Sequence, residues 1–346
     1  MPTLRVKNPS VKTEVVFSDF KVRRVYKEAN AITSRLERLS LNELSPGEVV
    51  IKTRYSSVNY KDALAITGRG KIIRNYPLIP GIDLAGVVES SSDDRFLSGD
   101  EVLINGCGIG ELHDGGFSQY AKIPGDWVIP LPKGLSLHES MVLGTAGFTA
   151  ALCLHRMEQN GQLLENGPVI ITGASGGVGS IAISMLAGLG YEVIAVSGRE
   201  NQIDYLSSLG AIQVVKPEML ELTAQSLQKA RFAGVIDNVG GELLARLLTC
   251  VLPRGNVASV GMAADSKFSA TVYPFILRGI SLLGVSSSNC PMPVRRMLWD
   301  RLGNDLKPKH LDKIASDMVS LDDLDSVCSE LLDRKRYGRI VVDCQR

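Results

Sequence analysis

The sequence predicts an α/β protein in which a doubly wound parallel sheet is joined to a smaller β-rich domain. Three observations carry this prediction. The stretch VIITGASGGVG, residues 169–179, joins an apolar strand to a Gly-rich turn. After about residue 144, apolar strands alternate with helical patterns, as in a parallel sheet covered by helices on both faces. Between about 49 and 128, short β-like runs are separated by Gly, Pro and Asp, which is typical of a compact antiparallel domain.

Composition limits the class of protein. The 346 residues are 45% hydrophobic and 22% charged, enough for a sizeable core and two domains. A formal charge of +1 gives no general attraction to nucleic acid or anionic membranes. The sequence shows neither a signal-peptide core nor a run of ~18 apolar residues, and its six scattered cysteines indicate reduced thiols. We expect a cytoplasmic protein that binds no nucleic acid and no membrane.

The β-rich domain is predicted to cover residues 1–143 and to be completed by residues 284–346. After about residue 288 the chain is polar and helical, and it closes with an apparent strand, RIVVDC, which has to rejoin a sheet. The other predicted strands of this domain are EVVIKTRY (48–55), GIDLAGVVES (81–90), GDEVLINGCG (99–108) and FSQYAKI (117–123).

The doubly wound domain is predicted to cover residues 144–283. Helical patterns occur in GTAGFTAALCLHRM (144–157) and SIAISMLAGLG (180–190). The predicted strands are PVIITG (168–173), YEVIAVSG (191–198), GVIDNVG (234–240), NVASVGM (256–262) and SLLGVSS (281–287).

The Gly-rich turn is the first candidate binding site. The sequence matches Gly-x-Gly-x-x-Gly except for Ala174 at the first position, and it lies between a strand and a helix in a unit of βαβ length. Backbone N–H groups at the positive end of such a helix meet a pyrophosphate. We therefore predict that Ser175, Gly176, Gly177 and Val178 bind a dinucleotide, with a purely structural turn as the alternative.

The end of the second strand indicates which dinucleotide. A site for NAD usually places Asp or Glu there, whereas this chain has Ser197, Gly198 and Arg199. A hydroxyl, an unobstructed backbone and a guanidinium suit a 2′-phosphate, so NADPH is favoured. Two alternatives stay open: Glu200 turns inward, or Arg199 is only a solvated surface charge.

The motifs, taken in order, resemble those of the medium-chain dehydrogenase/reductase family, which includes zinc alcohol dehydrogenases and quinone reductases. The resemblance covers nearly the whole chain and implies a Rossmann domain, a GroES-like catalytic domain and a homodimer. It is carried by SSVNYKDAL (56–64), PLIPGIDLAGVV (77–88), GDEVL (99–103), GGFSQYAKIP (115–124), LGTAGFTA (143–150) and GASGGVG (173–179).

The positions of the zinc ligands are replaced here. Zinc members have Cys, His and Cys where this chain has Asn59, Ile82 and Thr145, and the lobe that holds four Cys in those relatives contains only Cys107. Amide, alkyl and hydroxyl groups do not supply the thiolate and imidazole ligands that zinc favours. No metal is expected.

Further motifs are similar to the subgroup of NADPH-dependent acrylyl-CoA reductases, often labelled quinone oxidoreductases: residues 55–83, AVSGRE (195–200) and PFILRG (274–279). This resemblance implies that Tyr60, together with residues 175–178 and 197–199, contacts NADPH. It also implies that Met262 and Ser287 lie near the nicotinamide. About 19 residues at the N-terminus have no counterpart in the shorter members and no assigned role.

The candidate catalytic residues are Tyr60, Asn59 and Asp62. Adding hydride to a C=C bond next to a carbonyl needs a hydrogen-bond donor for the developing enolate rather than a metal. Tyr60 could donate to the thioester oxygen or brace the nicotinamide, and Asp62 could orient it. The alternative is structural, with Asn59 and Asp62 capping a helix that ends at Gly68.

The predicted reaction is the NADPH-dependent reduction of acrylyl-CoA to propanoyl-CoA, with hydride added to the β-carbon and a proton to the α-carbon. Two rivals stay open, a quinone reductase and an NADPH-binding module with little turnover. The phosphates of a CoA ester call for cations along the groove, although each candidate could be a solvated charge. The candidates are Lys71, Arg74, Arg295, Arg296, Arg301 and Arg339.

Overall fold

The computed structural model describes residues 19–29 and 31–346, so most of the predicted N-terminal extension, residues 1–18, lies outside the described residues. The described strands are β1 (Phe20–Glu28), β2 (Ala31–Leu39), β3 (Val49–Val58), β4 (Asp83–Ser91), β5 (Glu101–Asn105), β6 (Tyr120–Ile123), β7 (Ile129–Pro130), β8 (Val169–Ile171), β9 (Val193–Val196), β10 (Gln213–Val215), β11 (Phe232–Asp237), β12 (Val251–Ser259), β13 (Ser281–Gly284), β14 (Ala315–Val319) and β15 (Arg339–Asp343). The described α-helices are α1 (Tyr60–Thr67), α2 (Leu137–Gln159), α3 (Gly177–Gly188), α4 (Ile203–Ser208), α5 (Gly241–Leu248), α6 (Tyr273–Arg278), α7 (Met292–Leu302), α8 (Leu311–Ile314) and α9 (Leu324–Leu332).

The second half of the chain forms a parallel sheet with the described strands in the order β10-β9-β8-β11-β12-β13. This is the order of a doubly wound dinucleotide-binding sheet, and it confirms the predicted fold class. Val169, Ile170 and Ile171 of β8 are fully buried, because both faces of the central strands are covered. The carboxyl ends of β9, β8, β11 and β12 therefore meet along one edge, where such sheets bind ligands.

The β-rich domain is built on a second sheet with the described strands in the order β14-β15-β3-β4-β5-β7, and β6 also pairs with β3. As predicted, the C-terminal strand rejoins a sheet: β15 pairs antiparallel with β3 and parallel with β14. The hairpin of β1 and β2 packs on this domain through hydrogen bonds from Arg23 N to Phe117 O and between Val25 and Leu78.

Helix α2 runs between the two sheets. By length and composition it could cross a membrane, but 78% of its apolar window is buried inside the protein, as in a core helix. The helix is broken at Gly144, where φ is 48° and ψ is −152°. A Cβ there would lie 2.5 to 2.8 Å from side chains of Asp83, Ser57 and Arg339, so the break requires glycine. The predicted boundary between residues 143 and 144 falls at this break and stays a prediction.

Candidate active site

The Gly-rich turn leaves β8 in the middle of the parallel sheet and enters α3. Gly173 has φ 58°, and a Cβ on Gly179 would lie 2.6 Å from the Gly173 carbonyl oxygen, so both positions require glycine. Gly176 is the N-cap of α3, and no side chain in the described part of the protein caps this helix. The N–H groups of residues 177–179 are therefore left without intrahelical partners. Such a helix end binds phosphate.

The C-terminal strand supports the turn from behind. The Gly338 N–H donates to the Ser175 carbonyl oxygen at 2.9 Å. A Cβ on Gly177 would lie 2.9 Å from Cδ of Arg339, so the backbone of the turn packs directly on that side chain. The turn, which includes the predicted cofactor residues Ser175, Gly176, Gly177 and Val178, is thus fixed by the catalytic domain as well as by its own sheet.

The second part of the predicted cofactor site follows β9. Ser197 Oγ accepts a hydrogen bond from the Arg199 N–H at 3.2 Å, and Gly198 between them is exposed. Arg199 Nη1 donates to the Arg336 carbonyl oxygen at 3.0 Å. Glu200 forms an ion pair with Lys216, and its side chain is 73% exposed. Glu200 thus does not turn inward, which removes the first alternative left open by the sequence.

At the end of the groove beside Tyr60, the two domains are in contact. Met262 follows β12 and Ser287 follows β13, at the same sheet edge as the Gly-rich turn. Tyr60 is the first residue of α1 and is 55% exposed. Lys61 Nζ donates to Ser288 Oγ at 3.1 Å and to Glu111 Oε1 at 2.7 Å, which places α1 against the segment that contains Ser287. The sequence analysis did not single out Lys61, and its only signal is a cation directly after Tyr60.

The three positions of the zinc ligands are joined by buried carboxylates. Asn59 Nδ2 donates to Asp83 Oδ2 at 2.7 Å and to Asp62 Oδ2 at 3.0 Å. Thr145 donates to Asp83 from Oγ1 at 2.6 Å and from its N–H at 2.9 Å. The Ile82 N–H donates to Asp62 Oδ1 at 2.9 Å. Among the described residues, no group of three or more His, Cys, Asp or Glu side chains is arranged to hold a metal ion.

Asn59 and Asp62 lie at the start of α1, as in the alternative in which they cap this helix. Asn59 is the N-cap of α1, the Asn59 N–H donates to Asp62 Oδ2 at 2.9 Å, and the helix ends at Gly68 with φ 69°. Asp62 is fully buried, and burial together with the nearby charge of Asp83 raises its pKa to about 7. Asp62 therefore acts on Tyr60 only through the start of the helix.

Arg339 completes this cluster. Its buried position contradicts the predicted contact between Arg339 and substrate phosphates. Its side chain is only 4% exposed. The guanidinium donates to Asn59 Oδ1 at 3.0 Å and to Ser57 Oγ at 2.7 Å, and it lies 3.8 Å from Asp83. It also donates to the carbonyl oxygens of residues 58 and 142 at 3.1 and 3.0 Å. The guanidinium N–H groups are directed into the protein. Arg339 therefore compensates the charge of the buried carboxylates.

Arg295 is likewise not placed to bind substrate. It is fully buried, and its guanidinium lies 4.7 Å above the ring centre of Phe148. It donates to the carbonyl oxygens of Asn105 at 2.8 Å and Ser287 at 2.7 Å. Longer contacts reach the carbonyl oxygens of residues 288 and 290. Arg295 therefore holds the segment that carries Ser287 against the catalytic domain.

The remaining cationic candidates differ in whether their side chains form ion pairs. Arg301 forms ion pairs with Glu158 of α2 and with Asp305, which follows α7, so its charge is already compensated. Lys71, Arg74 and Arg296 are exposed, and no ion pair of their side chains occurs within the described residues. These three stay candidates for substrate contacts.

Two protein-family models match the chain. Residues 45–133 match the model described as alcohol dehydrogenase GroES-like domain. Residues 177–302 match the model described as zinc-binding dehydrogenase. The two matches fall on the β-rich domain and on the parallel sheet, respectively.

Three relatives cover nearly the whole chain. The Bacillus subtilis protein named "Putative quinone oxidoreductase YhfP" is 47% identical over 93% of this chain and 98% of its own. The Ruegeria pomeroyi protein named acrylyl-CoA reductase AcuI is 44% identical over 91% of this chain and 96% of its own. The crystal structure of a YhdH oxidoreductase from Salmonella enterica in complex with NADP has a TM-score of 0.90 at 42% identity, over 94% of this chain and 99% of that one. The crystal structure of Bacillus subtilis YhfP with NAD bound has a TM-score of 0.92 at 46% identity, covering 95% and 100%.

Proposed function

The chain belongs to the medium-chain dehydrogenase/reductase family, and from that membership and the geometry of the site we propose that it is an NADPH-dependent reductase of acrylyl-CoA. The reaction consumes acrylyl-CoA, NADPH and a proton and yields propanoyl-CoA and NADP⁺. One observation carries the proposal: beside a dinucleotide groove, the zinc-ligand positions Asn59 and Thr145 are hydrogen-bonded to buried Asp83, and Asn59 also to buried Arg339.

The groove fits NADPH at both of its phosphate-binding ends. The N–H groups of residues 177–179 would bind a pyrophosphate, and the glycines at 173 and 179 allow the tight turn that presents these groups. Ser197, Gly198 and Arg199 would bind the 2′-phosphate. Glu200, the acidic side chain that would repel that phosphate, is held outward by Lys216.

When bound, NADPH supplies the hydride that is added to the β-carbon of the substrate. The protein's part is to align the thioester and stabilise the charge that develops on its carbonyl oxygen. Tyr60 is exposed at the start of α1, directly before the Lys61 that contacts Ser288, and is the proposed donor to that oxygen. The ammonium group of Lys61, beside it, is paired with Glu111 and also donates to Ser288. The proton at the α-carbon comes from solvent or from a relay.

Substrate activation by hydrogen bonding alone suits an alkene conjugated to a thioester. Such a bond is already polarised, so a donor at the carbonyl oxygen suffices to stabilise the enolate. The name of the AcuI relative supports the CoA ester. The exposed cations Lys71, Arg74 and Arg296 are the proposed contacts to its phosphates. The name of the YhfP relative supports a quinone as the second candidate substrate.

The decisive experiment follows the loss of NADPH absorbance on mixing the purified protein with acrylyl-CoA, with a benzoquinone, or with no acceptor. We expect rapid oxidation of NADPH with acrylyl-CoA and formation of propanoyl-CoA. Oxidation with the quinone alone would favour the second candidate. Tight binding of NADPH without turnover of either acceptor would favour the non-catalytic module.

Arg296→Ala separates the two substrates further, because a quinone carries no phosphates. The variant should raise the KM for acrylyl-CoA and leave the KM for a quinone unchanged. A matched control is Arg254→Ala, which removes an exposed cation near the amino end of β12, away from the groove. Equal KM values for acrylyl-CoA in both variants and in the wild type would remove Arg296 from the site.

We also propose that the protein is a cytoplasmic homodimer. Strand β13 is the last of the described strands of the parallel sheet on its side, so its outer edge is open to another chain. Beside it, α6 exposes Tyr273, Ile276 and Leu277. All six cysteines are free thiols, which suits a reducing compartment. Light scattering of the wild type and of Ile276→Arg tests the dimer, and an unchanged mass in the variant would place the interface elsewhere.

A further inference from the structure

The side chain of Lys61 lies where three segments that border the groove meet. Lys61 is the second residue of α1, and its Nζ donates to Glu111 Oε1 at 2.7 Å and to Ser288 Oγ at 3.1 Å. Glu111 belongs to the loop between β5 and β6, whereas Ser288 belongs to the segment between β13 and α7. The ammonium group therefore lies at the contact between the two domains, next to the segment that carries Ser287.

Both partners of Lys61 are themselves held in place. The carbonyl oxygen of Glu111 accepts from the Arg74 N–H at 3.0 Å. The carbonyl oxygen of Ser288 accepts from Nη2 of buried Arg295 at 3.2 Å. The position of the ammonium group is thus determined by the fold, as a group that acts on a reacting atom requires.

The ammonium group has a proton that the protein does not use. A protonated lysine has three N–H donors. Within residues 19–29 and 31–346, two of them have an acceptor, the carboxylate of Glu111 and the hydroxyl of Ser288. The side chain of Lys61 is 31% exposed, so the third N–H is accessible to a ligand in the groove and to solvent.

Three other acidic groups near this end of the groove are directed elsewhere. The Asp62 carboxyl group is fully buried and accepts hydrogen bonds within its own cluster. Both ring nitrogens of His113 lie 2.9 Å from backbone carbonyl oxygens. The Cys107 thiol contacts Met292 Sδ at 3.7 Å. Compared with these groups, Lys61 has an unused N–H beside the segment of Ser287.

We propose that Lys61 is a catalytic residue, the acid that delivers the proton to the α-carbon of the substrate. The inference deepens the proposed function and rests on it. Consecutive residues of a helix point in different directions. Tyr60 and Lys61 therefore act on different atoms, Tyr60 on the carbonyl oxygen and Lys61 on the adjacent α-carbon.

The step conserves atoms and charge. Once hydride has been added to the β-carbon, the substrate is an enolate. The electron pair of the enolate forms a C–H bond at the α-carbon with a proton of Lys61, the N–H bond of Lys61 breaks, and the thioester carbonyl group forms again. Lys61 is left as a neutral amine, which takes up a proton from solvent on its exposed side.

The test replaces Lys61 with arginine. Lys61→Arg keeps a positive charge for Glu111 and a donor for Ser288, but a guanidinium does not give up its proton in a protein. A role of Lys61 in charge or in domain contact therefore survives in Lys61→Arg, whereas proton delivery does not. We expect kcat with acrylyl-CoA to fall about 100-fold or more, the usual contribution of a catalytic acid. The dissociation constant of NADPH, measured by calorimetry, should stay within about twofold of the wild-type value.

A second measurement follows the proton itself. Reduction of acrylyl-CoA by NADPH in D₂O places one deuterium on the α-carbon, and NMR of the propanoate, esterified with a chiral alcohol, gives the configuration of that carbon. The wild type should give a single configuration, because the deuteron comes from one side. Lys61→Arg should give a mixture, because solvent then supplies the deuteron to either face. Tyr60→Phe should react more slowly but keep the single configuration.

Lys307 provides a matched control. Its Nζ pairs with Glu139 at 2.7 Å and donates to the Gly134 carbonyl oxygen at 2.8 Å, and its side chain is 32% exposed. These partners lie in the first turn of α2 and in the segment before it. Lys307→Arg should leave both kcat and the configuration of the product unchanged.

A kcat of Lys61→Arg within about twofold of the wild-type value, or an unchanged single configuration in this variant, would overturn the proposal and leave Lys61 as a contact between the domains. A mixture of configurations from the wild type would overturn it as well. Loss of NADPH binding in Lys61→Arg would mean that Lys61 acts through the fold, which also contradicts the proposal. A wild type that does not reduce acrylyl-CoA would instead refute the proposed function, and this failure is distinguishable because the other results require product.

Discussion

Replacing Arg339 tests whether this side chain stabilises the fold or binds substrate. In Arg339→Met the four groups that accept from the guanidinium lose their donor, and the buried carboxylates of Asp62 and Asp83 lose their neighbouring cation. Breaking a buried ion pair by removing one partner costs about 3–5 kcal/mol, because the remaining charge is left uncompensated inside the protein. Domains of this kind are stable by about 5–15 kcal/mol in total. The free energy of unfolding should therefore fall by about a fifth or more.

The assay is urea denaturation followed by far-UV circular dichroism, on the free protein and at neutral pH. Arg339→Lys provides a milder variant, which keeps a positive charge but loses the forked geometry, and we expect a loss of about 1–3 kcal/mol. Arg296→Met is the control, since an exposed cation without an ion pair in the described residues should change stability by no more than about 0.5 kcal/mol.

A loss below about 1 kcal/mol in Arg339→Met, combined with a raised KM for acrylyl-CoA, would refute this reasoning. That result would mean that the guanidinium leaves the cluster in solution and contacts substrate, as the sequence analysis predicted. A large loss of stability that is equal in Arg339→Met and Arg296→Met would also refute it, because burial then would not decide the effect.

Three further predictions concern the groove and the buried acid. Arg199→Ala should raise the KM for NADPH roughly tenfold or more and leave that for NADH unchanged in steady-state assays, and equal effects would contradict the 2′-phosphate assignment. Tyr60→Phe should lower kcat roughly tenfold or more with acrylyl-CoA, whereas unchanged kinetics would confine Tyr60 to packing. Burial raises the pKa of Asp62 from 3.8 to about 7, so the folded state keeps a proton that the unfolded chain releases. The stability of the wild type, measured by urea denaturation against Asp62→Asn, should therefore fall as the pH rises from about 4 to about 7, and a constant difference would contradict the raised pKa.

The nucleotide half could be predicted because its signals are contiguous in the sequence. The strand, turn and helix of the phosphate site occupy residues 169–188 without interruption, and each glycine has a local backbone reason. The outward position of Glu200 could not be predicted. It depends on Lys216, which follows the neighbouring strand β10, and the pairing of β9 with β10 is a tertiary fact.

The roles of Arg295 and Arg339 could not be read from the sequence for the same reason. An arginine in a polar segment is ordinarily exposed, and burial depends on partners that compensate the charge. For Arg339 these partners lie at residues 57–59 and 142, and for Arg295 they include Asn105, all distant in sequence. The hairpin of β1 and β2 was also missed. Ala29, directly after β1, has φ 52°, a conformation that favours glycine, so the sequence lacks an ordinary hairpin signal there.

The two buried arginines explain how an active site between two domains is kept in register. Arg339 ties the Asn59 side chain at the start of α1 to β15, and Gly338, directly before β15, supports the Gly-rich turn. Arg295 ties the segment of Ser287 to the catalytic domain. Both ends of the groove are thus fixed before any ligand binds, and the energy for that order comes from folding. A reaction that depends on alignment and a few hydrogen-bond donors benefits most from such preorganisation, because the groups need not be reordered during hydride transfer.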